Sequence, residues 1–480
     1  MKKNNAFRRA AALMAALSIT VSLAAPAFAA TYYIDNGDIT ITKNEDGKQT
    51  VQQGSNEAVN IGDDEEIIIT TRDQTPATQE SDLEGPAAED SGFGPVVEDN
   101  YQPAQPEDTD QPEDADQQVQ PQREAPAPAA APAAPTSVNG KGNGVFGNII
   151  TVINNAATAL KLTLKDVKID VSDTGKYGEL GTSERGKAAL SVQGNGNVEI
   201  ELDGKNELKS GVLRAGLEKT STGTLTLKDD NQKAGSLTAT GGDWAAGIGG
   251  QGTIESDPSE QELYDASNIT ITGGTVNATG GSFGAGIGGG ELDNGENITI
   301  TGGTVTAAGG SFGAGIGGGN EGNGKNITIN GGTVNAAGGY QSAGIGGGGW
   351  KGNGEVITIN GGTVNAAGGD CGAGIGGGAT GSGSNVTVSG AAQVTTTAGK
   401  SYGSYGAGAT IGNGGNRTEA EYGFTCIDGK EIQADISGVT TGYIHHILYE
   451  QDGTTIKREW WEPVRPRPPC GNAGGRLPAL

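Results

Sequence analysis

An all-β solenoid is the architecture this chain predicts, on three observations: a repeated unit of near-constant length, an apolar period of two within it, and glycine at its joints. The unit runs four times from Asn268 to Gly378, as NITITGGTVNATGGSFGAGIGGG, NITITGGTVTAAGGSFGAGIGGG, NITINGGTVNAAGGYQSAGIGGG and VITINGGTVNAAGGDCGAGIGGG. The isoleucine of each AGIGGG falls at Ile287, Ile316, Ile345 and Ile375, a period of 29, 29 and 30 residues. A fixed period in this range marks stacked repeats. Within a unit Ile269 and Ile271, Val276 and Ala278, then Ala285 and Ile287 recur every second residue, which is strand spacing and never helical spacing. The pairs Gly273-Gly274 and Gly280-Gly281 stand where a corner needs positive φ or leaves no room for a side chain. Three short strands per unit bury their Ile and Val only by stacking on the next unit. The expected fold is therefore a right-handed parallel β-helix with coils of about 29 residues.

Taken in order, the first 29 residues combine Lys2, Lys3, Arg8 and Arg9, an apolar run from Ala10 to Ala25, and Ala27-Phe28-Ala29. That is the pattern of a secretory signal peptide, so the mature chain is expected outside the cell or at its surface, with no membrane span after cleavage. Residues 30–73 read as a small N-terminal β segment, with YYI, DITIT from Asp38 to Thr42 and EIIITT from Glu66 to Thr71. Residues 74–137 are rich in Pro, Ala, Gln and acids, ending in APAPAAAPAAP. Such a stretch lacks the apolar surface to offset its ordering entropy, and is expected to be a disordered linker acting as a spacer.

Alternation resumes in residues 138–415. Leu160, Leu162 and Leu164 lead to Val167, Ile169 and Val171, then Val198, Ile200 and Leu202, then Leu225 and Leu227. Together with the four clear repeats and their worn copies at 236–250 and 384–415, this span makes about nine or ten coils, a rod of about 45 Å at the spacing of paired strands. The joints LDNGE, EGNGK and KGNGE carry Asn-Gly and read as variable surface loops. Residues 416–480 read as an irregular C-terminal segment containing YIHHILYE and WWEPVRPRPPC.

Charge narrows the function classes. Of the formal net charge of -26, residues 31–137 hold 24 Asp and Glu against 4 Lys and Arg, and the repeats are nearly neutral. No basic stripe runs along them, so nucleic acid is not an expected partner. Cys371, Cys426 and Cys470 are an odd number without ligand spacing, and His445 and His446 face opposite ways on a strand, so neither a metal nor a cofactor is expected. Acids sit singly in the repeats, as Asp243, Asp293 and Asp370, whereas a polysaccharide lyase or hydrolase needs clustered carboxylates. No catalytic residue is assigned.

The order AALSVQGNGNVEIELDGKNELKSG, TGTLTLKDDNQKAGSLTATGGDWAAGIGG, the GGTVNAAGG and GAGIGGG units, and SYGSYGAGATIGNGG resembles a family of secreted proteins over residues 138–415. These are the repeat-bearing surface proteins of anaerobic Firmicutes, of the carbohydrate-binding-domain or adhesin-like kind. The resemblance implies a β-helix at the cell surface and contact with polysaccharide or host glycan, and carries over no catalytic residue.

Aligning the units at Ala-Gly places Trp244, Phe283, Phe312, Gln341, Cys371 and Tyr405 in one column, with Tyr340 beside it. Rings in a row stack on sugar faces or, equally, on one another to plug a corner. Trp244, Phe283, Phe312, Tyr340 and Tyr405 are the candidate ligand-binding residues of a monomeric, non-enzymatic binding protein. A purely structural stalk is the alternative. The Asn-Ile-Thr at 268, 297 and 326 matches a glycosylation pattern but reads as a structural repeat.

Overall fold

A computed structural model describes residues 29–63, 65–72, 144–176, 184–231, 233–253, 266–420 and 423–463. The signal segment, but for its last residue, and the linker at 74–137 lie outside these. The described residues form strands and one 3-10 turn, Ile34–Asn36, with no α-helix.

The chain is a parallel β-helix. In the repeats each coil has three strands, for example Gly295–Ile300, Thr304–Ala308 and Ile316–Gly317, each hydrogen-bonded to its counterpart one coil away. The expected file of Ile287, Ile316, Ile345 and Ile375 is present and continues in both directions. Register joins Ile39, Ile150, Leu190, Leu217 and Ile248 on one side and Ile411 on the other, every one with no exposed surface. A second file runs from Ile67 through Leu162, Ile200, Leu227, Ile271, Ile300, Ile329 and Ile359 to Val388. The third face is lined by Val276, Val305, Val334 and Val364 beside Ala278, Ala307, Ala336 and Ala366. At roughly 2 kcal/mol for each buried aliphatic side chain, these files are the main stabilising term of the rod.

Two faces merge because Val198–Lys209 runs through a corner and pairs on both. The described strands thus count as a 19-stranded sheet, a 12-stranded sheet and a two-stranded ribbon. Glycine serves the corners in the two ways anticipated. Gly274 has φ +79°, whereas a Cβ on Gly281 would overlap the Gly242 carbonyl of the preceding coil.

The ends depart from the sequence reading. Residues 30–72 are not a separate β segment: Ile39–Lys43 pairs parallel with Ile150–Asn154, and Ile67–Thr70 with Leu160–Lys165, so they form the first coil of the same solenoid. Two strands without strong alternation close that end: Gln49–Gln53 folds back antiparallel on Ile39–Lys43, and Val59–Ile61 in turn pairs antiparallel with Gln49–Gln53. Within residues 416–480, Tyr443–Tyr449 continues the rod by pairing parallel with Gln393–Thr397, and Ile456–Glu462 then folds back antiparallel over it. Neither end was legible because its partners lie far away in sequence.

The Asn-Gly joints are also more ordered than surface loops. The Asn294 Oδ1 accepts from the backbone N and Nδ2 of Asn323 at 2.9 and 3.0 Å, and Asn323 Oδ1 accepts from the Asn353 N at 2.9 Å. The glycines that follow, Gly295, Gly324 and Gly354, open buried strands. In the same manner Asn297 Nδ2 donates to Asn268 Oδ1 and Asn326 Nδ2 to Asn297 Oδ1, both at 3.1 Å. All three sit at positive φ, 54° to 61°, a conformation asparagine tolerates. Their repetition suits a backbone position held at positive φ in each of these coils.

Candidate functional site

The corner between the second and third strands of each coil carries the rings. In the Phe283 and Phe312 coils the corner backbones stack directly, the Phe312 N donating to the Ser282 oxygen at 2.9 Å. That puts the two rings face to face, 5.4 Å apart and 8° from parallel. Trp244 meets Phe283 edge-on at 5.8 Å, and Tyr340 meets Phe312 edge-on at 5.4 Å.

The aligned column then breaks. Gln341 and Cys371 have φ of 63° and 67°, their amides bond forward to Asp370 and Lys400, and both side chains are buried. The ring at that level comes from Tyr340 instead. Tyr405, assigned to the column by alignment, is likewise buried, against Cys371 and Ala379. The ring that ends the ladder is Tyr402, edge-on to Tyr340 at 5.1 Å and 53 % exposed.

Trp350 adds a further ring, 43 % exposed and 6.4 Å from Tyr405. Its neighbour Gly349 donates to the Phe312 carbonyl at 2.8 Å, which seats it beside the ladder. Arg417 lies over the Tyr405 and Phe424 rings at 4.6 and 4.3 Å and donates to Ser404 Oγ at 3.0 Å. Phe424 is 49 % exposed. All described aromatic residues between 235 and 415 therefore lie on one flank: Trp244, Phe283, Phe312, Tyr340, Trp350, Tyr402 and Tyr405. Sequence reasoning found four of the ladder rings and missed Trp350, Tyr402, Phe424 and Arg417. Trp350 had a signal: it falls in the joint that lengthens one period from 29 to 30 residues.

Burial shifts the titratable groups around the flank toward their neutral forms. Burial pushes the Asp370 carboxyl up, opposed by Lys400, and burial first, then Cys371, pushes the Tyr340 hydroxyl up. The Cys371 thiol is pushed up to about 11 by burial, so it is not a ready nucleophile.

Other polar groups serve the fold. The threonines 270, 299, 328, 358 and 387 stand in register on an outer face, and Asn365 Nδ2 donates to Asn335 Oδ1 at 2.8 Å. His446 points inward and is buried, its Nδ1 2.7 Å from Thr410 Oγ1, whereas His445 points outward to Glu459 at 2.6 Å. Among the described residues no three His, Cys, Asp or Glu side chains converge on a common point as metal ligands would.

A family model described as "Beta helix repeat" matches residues 269–291, 298–320, 327–349 and 357–379. Each matched span runs from within the first strand through both glycine corners to the end of the GIGGG turn of one coil. No curated protein and no solved structure matches the chain.

Proposed function

We propose that this β-helix is an exported, non-enzymatic binding protein that contacts a polysaccharide through the aromatic flank at 340–424. The observation that carries the reading is the concentration of every described ring between 235 and 415 on one flank of the repeats. Tyr402 and Trp350 present ring surface to solvent, Phe424 extends it, and Arg417 and Lys400 supply donors at its rim. Aromatic faces beside hydrogen-bonding groups are how proteins take up sugar rings. Export rests on the N-terminal pattern of basic residues, apolar run and Ala27-Phe28-Ala29.

The test is a screen of the purified chain against plant, microbial and host polysaccharides. Tyr402→Ala with Trp350→Ala is expected to weaken binding at least about tenfold, as for truncation of two anchoring aromatics, with the melting temperature unchanged. Failure to bind any glycan at millimolar concentration, or binding that ignores the double variant, would reject the proposal.

A second reading, the structural stalk, is favoured by the ring pairing itself. Phe283 and Phe312 spend their facing surfaces on each other, which is what a corner plug does. Trp244→Ala with Phe283→Ala separates the two, because a plug loses melting temperature, whereas a glycan face at 340–424 lies beyond these rings and keeps its ligand.

A further inference from the structure

The stretch 73–143 lies outside the described residues, and the chain on either side of it packs on the same two coils. Just before it, Thr71 Oγ1 donates to the Asp166 carbonyl at 3.4 Å and the Arg72 N to Asp35 Oδ1 at 3.2 Å. Just after it, Asn148 Nδ2 donates to the Ile34 carbonyl at 2.8 Å and the Ile149 N to Asp38 Oδ1 at 2.9 Å. Between these points residues 30–72 lie on the rest of the rod as a bound β-peptide would. Two of their strands add in register to Ile150–Asn154 and Leu160–Lys165, and Thr163 Oγ1 donates to Glu66. Ile34, Ile39, Ile41, Ile67 and Ile69 are fully buried in the common core. Main-chain pairing combined with apolar side chains in alternate pockets is the physics of strand-addition complexes.

We infer that the N-terminal end of the coil from Ile150 to Val171 is a strand-accepting interface, that residues 30–72 occupy it as a docked segment, and that the connection 73–143 is not needed to hold them there. Hydrolysis of one peptide bond in that connection, with water adding across the C–N bond to leave a carboxylate and an ammonium group, alters none of these contacts. A cut chain is then a two-chain β-helix. What the cut removes is the effective concentration supplied by the covalent connection, so the pieces stay together wherever their own dissociation constant lies below the working concentration.

The experiment uses the full chain with a site-specific protease sequence inserted after Ala104. The protein is cut to completion, in urea and then refolded if the native form resists, with the uncut chain taken through the same cycle. At about 1 μM the N-terminal piece should co-elute with the remainder on size exclusion, separate only on a denaturing gel, and melt with it in a single transition, as a dissociation constant below micromolar requires. Ile39→Asp in the cut chain should release the piece, which shows that the assay detects separation. Release of the wild-type piece at about 1 μM, or failure of the cut chain to refold where the uncut chain does, would overturn the inference.

Discussion

The repeats at 266–397 and the coils at the two ends solve one problem differently. Both must satisfy polar groups at the corners of a tube whose interior is aliphatic. In the repeats each solution is found once and copied: glycine recurs where Cβ would strike the coil below, and Asn268, Asn297 and Asn326 pass one amide bond from coil to coil. In the coils that flank the repeats the solutions are individual and charged. At the position of the glycine file, Glu218 is buried, its carboxyl pushed up by burial and opposed by Arg214, which donates to it at 2.9 Å. Lys219 is buried beside it, its ammonium pushed down to about 8 by burial. At the C-terminal end the alanine file gives way to Thr396 and then His446, which stacks on Trp460 at 4.4 Å. Repetition lets neutral side chains close the tube, whereas a coil of unique sequence, with no identical neighbour to match, needs its own network.

This contrast breaks most severely in the middle of a file. Ile316→Asp forfeits a buried aliphatic side chain and forces a carboxyl among Ile287 and Ile345, at a cost of about 5 kcal/mol. Thermal melting of the variant against the parent measures it, and equal melting curves would mean that Ile316 does not face inward.

The charged end is broken by acid. Burial first, then His445 and Arg458, holds His446 down to about 4, so the folded protein favours the neutral ring. Its Nε2, which protonation would make a donor, is buried without a hydrogen-bond partner. Stability from His446 is therefore complete above pH 6.5 and is lost as pH falls from 6.5 to about 4, about 3 kcal/mol for a shift of this size. Glu431, pushed up chiefly by burial, favours its neutral form and partly offsets that loss as its carboxyl protonates. Melting at pH 7 and pH 4 should differ less in His446→Gln than in the parent. An equal difference would assign the acid effect elsewhere.

The smallest effect sharpens the comparison by completing a copy. Val356 holds the position of Asn326 and Asn385 at φ 57° with a β-branched side chain, 40 % exposed. Val356→Asn should stabilise the rod by about 1 kcal/mol, since asparagine accepts this backbone at lower cost and can join the ladder. A lower melting temperature in the variant would show that the ladder is not what the asparagines are for.

What this sequence determined by itself follows from its repetition. Period, strand alternation and glycine placement are local properties, and one coil fixes its neighbour, so the β-helix and the file through Ile287 to Ile375 were legible. The first coil and the cap were not, because Ile39 meets Ile150 and Ile444 meets Val394 only after the chain has travelled through other coils. The candidate site divides in the same way. Trp244, Phe283, Phe312 and Tyr340 could be read from alignment, but the same column buries Gln341 and Cys371, and aligned letters do not say which way a side chain points. Only the tertiary structure could exchange Tyr405 for Tyr402 and bring Trp350 to the same flank, because a corner's outward direction depends on backbone torsion as well as on position in the repeat.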